Sequence, residues 1–234
     1  MTRQILCLSG WGQKSDSLEF IFNDKIFDPF SVSSLDYSRF GDVEKFFDDV
    51  RAQNLNPEIL VGWSLGGQLA VRLIEKKILK PKLLILIAPP FQLLKDERVH
   101  AGMGLEAFKK FRGDFANAPD KTLKQFSILT AMNDRNASDI ARNLDVNDHN
   151  FAQLVYWLDE LAGFSCFDVD FSNMPRTLYF HGAGDMIVHV SQAEYFKQRI
   201  KNLHATIFMN CGHAPQLNDT PTLRRIINEE ILRG

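Results

Sequence analysis

Leu60-Val61-Gly62-Trp63-Ser64-Leu65-Gly66-Gly67 is the stretch from which the rest of this chain is read. Gly62-Trp63-Ser64-Leu65-Gly66 fits the pattern Gly-x-Ser-x-Gly, in which a serine sits on a sharp turn between a strand and a helix. The flanks fit the same reading. Glu58-Ile59-Leu60-Val61 is a short apolar run suited to a buried strand, and Gln68-Leu69-Ala70-Val71-Arg72-Leu73-Ile74 repeats apolar side chains at helical spacing. A turn this tight brings the strand and helix backbones together, so small neighbours are needed, and Gly62, Gly66 and Gly67 supply them. The spacing predicts a nucleophile at Ser64, held out of a sheet in a strained conformation; a turn used only for packing is the alternative.

Working outward, strand and helix patterns alternate over the first ninety residues. Strands are predicted at 5–8, 30–35, 58–61 and 82–88, and helices at 16–23, 42–52 and after Ser64. Lys82-Leu83-Leu84-Ile85-Leu86-Ile87-Ala88 reads as a strand covered on both faces, ended by Pro89-Pro90. From Phe91 to about Gly163 the pattern is helical instead, with helices expected over 104–112, 120–132, 136–144 and 149–162. Alternation then resumes: strand 176–180, helix 191–201, strand 205–209 and a closing helix 220–232. Strands separated by helices imply right-handed crossovers and a mostly parallel central sheet flanked by helices. The expected organisation is an α/β core of residues 1–90 and 164–234, with residues 91–163 inserted as a helical lid.

Composition narrows the function classes. The chain has 234 residues, 45% hydrophobic and 24% charged, which suits one globular domain with an insertion. A net charge of −2 gives no global reason to bind nucleic acid. Cys7, Cys166 and Cys211 have no metal-binding spacing and suggest a reducing compartment; Cys211 reads as a small loop filler. The first apolar run is too short for a signal peptide, and none is long enough to span a bilayer. The expectation is a soluble, cytoplasmic monomer with no metal and no cofactor.

A serine hydroxyl needs a base within hydrogen-bond reach, and the base needs an orienting partner. After an elbow of this kind the chain order is acid, then histidine. His181-Gly182-Ala183-Gly184-Asp185 carries Asp185 just past the strand at 176–180. Asn210-Cys211-Gly212-His213 carries His213 just past the strand at 205–209. Ser64, Asp185 and His213 would then share the carboxyl ends of parallel strands. Asp36, after an earlier strand, is the alternative acid. Asp168 and Asp170 precede their strand, at the wrong end of the sheet. His181, at the end of a strand, could line the site but reads first as a satisfied structural histidine; His189 reads as a surface residue, and His204 points away from any loop. An oxyanion needs two backbone donors. Leu65 follows the nucleophile, and Trp11 lies in the Ser9-Gly10-Trp11-Gly12 loop; a tight turn with a packing tryptophan is the alternative there. Trp11 and Trp63 are candidate walls of an apolar acyl pocket.

The lid segment is locally basic: Lys109, Lys110, Arg112, Lys121, Lys124, Arg135 and Arg142. Lys121 and Lys124 share a helix face. Such a surface can steer an acidic or phosphate-bearing partner, or can simply be solvated. Leu123, Phe126, Ile128, Leu129 and Met132 would face the site or the lid's own core.

Gly-Trp-Ser-Leu-Gly-Gly, the early Ser-Gly-Trp-Gly and the late Gly-His-Ala-Pro together resemble one branch of the α/β-hydrolases, the BioH-type pimeloyl-[acyl-carrier protein] methyl ester esterases of biotin synthesis. Leu105 to Phe108, the helix from Gln125-Phe126 to Thr130, and Ala141-Arg142-Asn143-Leu144 are similar to that family's lid helices. The resemblance implies an α/β-hydrolase fold, a triad of Ser64, Asp185 and His213, and oxyanion amides at Trp11 and Leu65. It also implies a lid whose basic side chains hold the phosphopantetheine and acidic surface of acyl carrier protein. Lys121 and Arg142 fall where that family has arginines; Gln125 and Ser138 fall where it has two more, with Lys124 and Arg135 nearby. Ser9 stands where a histidine is usual, and the first strand matches the third of the fold, without the usual first hairpin. The expected activity is serine carboxylesterase on a pimeloyl-carrier-protein methyl ester. A short acyl ester or thioester is an alternative substrate, and a non-catalytic binding protein is an alternative of another class.

Overall fold

The sheet is centred on strands buried on both faces and flanked by more exposed edge strands. In the computed structural model, which describes residues 3–144 and 150–233, the strands are β1 Arg3–Leu8, β2 Phe30–Ser34, β3 Ile59–Trp63, β4 Leu83–Ile87, β5 Arg176–Gly182 and β6 Leu203–Phe208. They form one sheet of order β2-β1-β3-β4-β5-β6, in which every pairing is parallel. Leucines occupy one face (Leu6, Leu8, Leu60, Leu84, Leu86). Branched side chains occupy the other (Ile5, Ile59, Val61, Ile85, Ile87). Both sets are buried, and each such side chain contributes about 1.5–3 kcal/mol.

Helices cover each face. The described helices are α1 Val43–Ala52, α2 Leu65–Glu75, α3 Leu105–Asn117, α4 Pro119–Ala131, α5 Ala137–Asn143, α6 Phe151–Gly163, α7 Ala193–Lys197, α8 Pro215–Asn218 and α9 Thr220–Leu232. Phe46 and Phe47 of α1, Leu69 and Leu73 of α2, Trp157 of α6 and Phe196 of α7 pack on the leucine face. Leu223 and Ile227 of α9 cover the branched face, together with Leu18, Ile21 and Phe22. Asp42 starts α1 by accepting hydrogen bonds from the amides of Glu44 and Lys45 (2.8 and 3.1 Å). None of the described helices is long and apolar enough to cross a membrane.

The chain leaves β1 for β2 on one side, then returns to place β3 on the other. The crevice at the carboxyl ends of β1 and β3 is therefore where an open α/β sheet places its site. Ser64 sits there, directly after β3.

Two expected helices are shorter than the sequence suggests. Residues 16–23 yield a single 3-10 turn at Glu19–Phe22, because Arg224 of α9 takes the carbonyls of Ile21 and Phe20 (2.7 and 2.5 Å) that a longer helix would need. The helix expected over 191–201 ends at Lys197, where the chain turns to enter β6. Position 149, expected to start a helix, lies outside the described residues.

Glycine content has opposite consequences at two places. A Cβ on Gly66 would lie 2.1 Å from the carbonyl oxygen of Leu8, whereas one on Gly113, inside α3, would meet nothing within 4 Å. Gly66→Ala is expected to lower the unfolding free energy by about 1–3 kcal/mol. Gly113→Ala is expected to raise it by about 0.5–1 kcal/mol. Urea titration of both variants checks the pair, and equal stability would contradict the close approach at the elbow.

Candidate active site

Ser64 carries the strain expected of an elbow. Its backbone lies at φ 54°, ψ −119°, a conformation that a non-glycine residue rarely adopts. It is held from both sides. The Ser64 amide donates to the Ile87 carbonyl at the end of β4 (2.9 Å), and the Ser64 carbonyl accepts from Gly67 and Gln68 (2.9 and 3.2 Å) to open α2. Leu65 is the first residue of α2, so its amide belongs to the first turn, where N–H groups have no partner within the helix. Gly62 and Gly66 have no room for side chains because their backbones touch each other and the end of β1.

The loops after β5 and β6 run together. Ala183 donates to the Phe208 carbonyl and Gly184 to that of Cys211 (both 2.9 Å). This contact brings Asp185 to His213. Oδ1 of Asp185 accepts from the amides of Ile187 and Val188 (2.8 and 2.9 Å). Its Oδ2 lies 2.6 Å from His213 Nδ1 and 3.1 Å from His181 Nε2. Burial by itself would push the Asp185 carboxyl up. The positive charge that His213 can carry and the hydrogen bonds from His181 and His213 outweigh it and hold the group below the usual carboxylate range. An ionised carboxylate only accepts, so His213 Nδ1 carries a hydrogen, and in the neutral imidazole Nε2 is then left with a free lone pair.

That nitrogen is not used in this conformation. The indole N–H of Trp63, the residue before Ser64, donates to the His213 carbonyl (2.8 Å). The His213 amide donates to the Thr130 carbonyl at the end of α4 (2.9 Å). His213 Nε2 is buried and has no hydrogen-bond partner among the described residues. The acid–histidine half is thus assembled, and the Ser64–His213 hydrogen bond is not made in this conformation.

The competing groups are occupied locally. Asp36 accepts from the amide and hydroxyl of Ser38 (3.1 and 2.6 Å). The exposed His189 and His204 lie against Ser191 and Glu230 respectively. Cys211 is buried, and burial pushes its thiol up. His181, read from sequence as structurally satisfied, is bonded to Tyr179 and Val188, and it also reaches Asp185. The signal available for that was its position in β5, two residues after Tyr179 and four before Asp185. Among the described residues no group of three or more His, Cys, Asp or Glu side chains is placed to hold a metal ion.

The tryptophans part company. Trp11 packs edge-on against Phe111, Phe115 and Phe126 (centroids 5.7, 5.0 and 5.2 Å), and its indole N–H donates to the Leu154 carbonyl of α6 (2.8 Å). It therefore fastens the loop after β1 to the inserted helices, and Phe126 belongs to the same cluster. Trp63 lies in the apolar cluster of the other sheet face, so the two indoles do not form one wall. A separate cavity of about 330 Å³ borders Trp63, with Gln13, Phe20, Leu144, Gln216 and Leu217 among its lining.

The basic residues of the 91–163 segment fall into two groups. Arg112 holds Asp159 through two bonds (2.5 and 2.7 Å). Lys109 and Lys110 pair along their own helix with Glu106 and Asp114, and Arg142 pairs with Asp139. Lys121, Lys124 and Arg135 are exposed and are joined to no carboxylate among the described residues. Leu123 is fully buried, but Ile128 and Met132 are 58% and 39% exposed. They do not line a core because α4 turns Thr122, Ser127, Thr130 and Ala131 inward instead.

Residues 5–224 match the model of the alpha/beta hydrolase family. The chain is 29% identical over 208 residues to a pimeloyl-[acyl-carrier protein] methyl ester esterase of Aromatoleum aromaticum, covering 82% of this chain and 80% of the relative. It is 28% identical over 244 residues to the protein of the same name from Pseudoalteromonas atlantica, covering 97% and 93%. Among solved structures it is similar to an esterase from Exiguobacterium antarcticum (TM-score 0.84, 16% identity, 98% of this chain and 91% of that one). It is also similar to a bromoperoxidase from Bacillus anthracis (TM-score 0.80, 18% identity, 99% and 91%). With an all-parallel sheet, a strained serine turn after β3 and a family match over almost its whole length, this chain belongs to the alpha/beta hydrolase family.

Proposed function

We propose that this chain is a serine carboxylesterase acting through an acyl-enzyme. The observation that carries the reading is the His213 Nε2 lone pair: buried, unpartnered among the described residues, and backed by the ionised Asp185. Ser64 Oγ turns to that nitrogen, gives up its proton and attacks the ester carbonyl. The amides of Leu65 and Trp11 hold the oxyanion. His213 then passes the proton to the leaving alcohol, and Asp185 keeps the imidazole in the required tautomer. Water attacks the acyl-enzyme by the same route and frees Ser64. No metal or cofactor is needed for these steps.

The substrate we propose is a pimeloyl ester carried on acyl carrier protein, in biotin synthesis. The relatives named for that activity match most of this chain at 28–29% identity. Release of the ω-carboxyl would stop further chain extension. The helices between β4 and β5 act in this proposal as a lid, and Trp11 and Phe126 tie it to the core. Trp63, beside the cavity that borders the elbow, contributes to holding the substrate. The exposed cations Lys121, Lys124 and Arg135, with Arg142, receive the acidic carrier protein.

Ser64→Ala is expected to lower kcat on p-nitrophenyl butyrate by at least about a thousandfold and to abolish labelling by a fluorophosphonate. Retained turnover with Ser64 unlabelled would end the serine mechanism. The paired change Lys121→Glu and Lys124→Glu is expected to raise KM for a pimeloyl-carrier-protein methyl ester about tenfold at low salt, an effect that shrinks at high salt. KM for p-nitrophenyl butyrate should stay the same. Equal KM values for the carrier-bound ester before and after charge reversal, or failure of the gene to restore growth without biotin to a cell lacking its esterase, would remove the carrier-protein assignment.

A further inference from the structure

The triad carboxylate is shared. Tyr179 and His181 stand two residues apart on β5, so both side chains point to one face of the sheet, and their rings stack at 5.7 Å with 27° between planes. The Tyr179 hydroxyl lies 2.7 Å from His181 Nδ1. His181 Nε2 lies 2.8 Å from the Val188 carbonyl and 3.1 Å from Asp185 Oδ2. A carbonyl and a carboxylate only accept, so Nε2 carries a hydrogen, which bonds the Val188 carbonyl and is shared with Asp185 Oδ2 as the longer contact, and Nδ1 accepts from the Tyr179 hydroxyl. Both rings are fully buried. Burial pushes the Tyr179 hydroxyl well above its usual range, so it remains a donor.

We infer that His181 is a positioning residue for the hydrolytic reaction: its Nε2–H fixes Asp185 Oδ2 against His213, and Tyr179 fixes His181 in turn. This rests on the reading of Asp185 and His213 under the proposed function. Oδ1 of Asp185 is held by the Ile187 and Val188 amides. With Oδ1 alone fixed, the carboxylate is free to tilt about that oxygen. The Nε2–H of His181 comes to Oδ2 from the β5 side, whereas His213 approaches from the loop after β6. Together they leave the carboxylate one orientation, with Oδ2 aimed at His213 Nδ1 (2.6 Å). The same hydrogen bond helps to solvate a charge that has no access to water. Asp134, also near these loops, accepts from Asn218 (2.6 Å) and as a carboxylate offers Asp185 no N–H in place of that of His181.

His181→Met removes the donor at similar volume, and His181→Gln restores an N–H near the same place. Tyr179→Phe removes only the hydroxyl that sets the ring. The measurements are kcat and KM on p-nitrophenyl butyrate and the low-field proton resonance of His213 Nδ1–H. In His181→Met, kcat is expected to fall about ten- to a hundredfold with KM little changed, and the resonance to move. His181→Gln should recover most of both, and Tyr179→Phe should show a smaller change in the same direction. Wild-type kcat and an unmoved resonance in His181→Met, even with lowered thermal stability, would make His181 a packing residue only. If His181→Met does not fold, Tyr179→Phe decides: an unchanged kcat and resonance there overturn the inference. Loss of the serine reading is separable, because it requires Ser64→Ala and Asp185→Asn to remain active.

Discussion

Two backbones meet where no side chain fits. At the end of β3 the chain turns so sharply into α2 that a Cβ on Gly66 would lie 2.1 Å from the Leu8 carbonyl oxygen, and one on Gly62 would lie 2.5 Å from the Gly66 oxygen. Ser64, within this turn, takes a positive φ, and its amide and carbonyl are both hydrogen-bonded there. The strain is tolerable only because β1, β3 and β4 are anchored by apolar packing on both faces. The hydroxyl is then presented at the carboxyl edge of the sheet, above the first turn of α2.

A second constraint is electrostatic. Asp185 is a buried charge, and a buried charge persists only when it is fully hydrogen-bonded. Three donors bond it, two amides of its own loop and the His213 imidazole, and His181 Nε2, bonded to the Val188 carbonyl, lies 3.1 Å from Oδ2. Its position depends on the loops after β5 and β6 lying in contact, and at Gly182 a Cβ would fall 1.9 Å from the Gly212 oxygen. The α4 end joins the same assembly. Thr130 accepts from the His213 amide, and Asn133 donates to the Gly184 carbonyl (2.7 Å). The inserted helices therefore touch both loops, and a shift of α4 would be felt at the histidine.

Much of this was legible in the chain because the cues are local. Leu83–Ile87 is apolar on both faces, which marks a central parallel strand. The glycines around Ser64 mark a close approach. Asp185 and His213 each follow a strand by a few residues, and strand order brings them together. What was hidden depends on side-chain geometry across long separations. Nothing in the sequence says that Ser64 and His213 are not hydrogen-bonded in this conformation, since that is a matter of side-chain placement. The pairing of Arg112 with Asp159 takes one cation out of a basic run that looks continuous in sequence. The exposure of Ile128 follows from α4 burying Thr122, Ser127 and Thr130, a choice that hydrophobic periodicity does not anticipate. Arg224 cut short the helix expected near residue 20 from two hundred positions away.

The most direct measurement is a crystal structure of the protein after reaction with a fluorophosphonate. The account predicts phosphorus bonded to Ser64 Oγ, a phosphoryl oxygen within hydrogen-bond reach of the Leu65 and Trp11 amides, and His213 Nε2 hydrogen-bonded to an oxygen of the adduct. An adduct on another residue would contradict it, as would an adduct on Ser64 with His213 Nε2 still unpartnered and the phosphoryl oxygen pointing away from both amides.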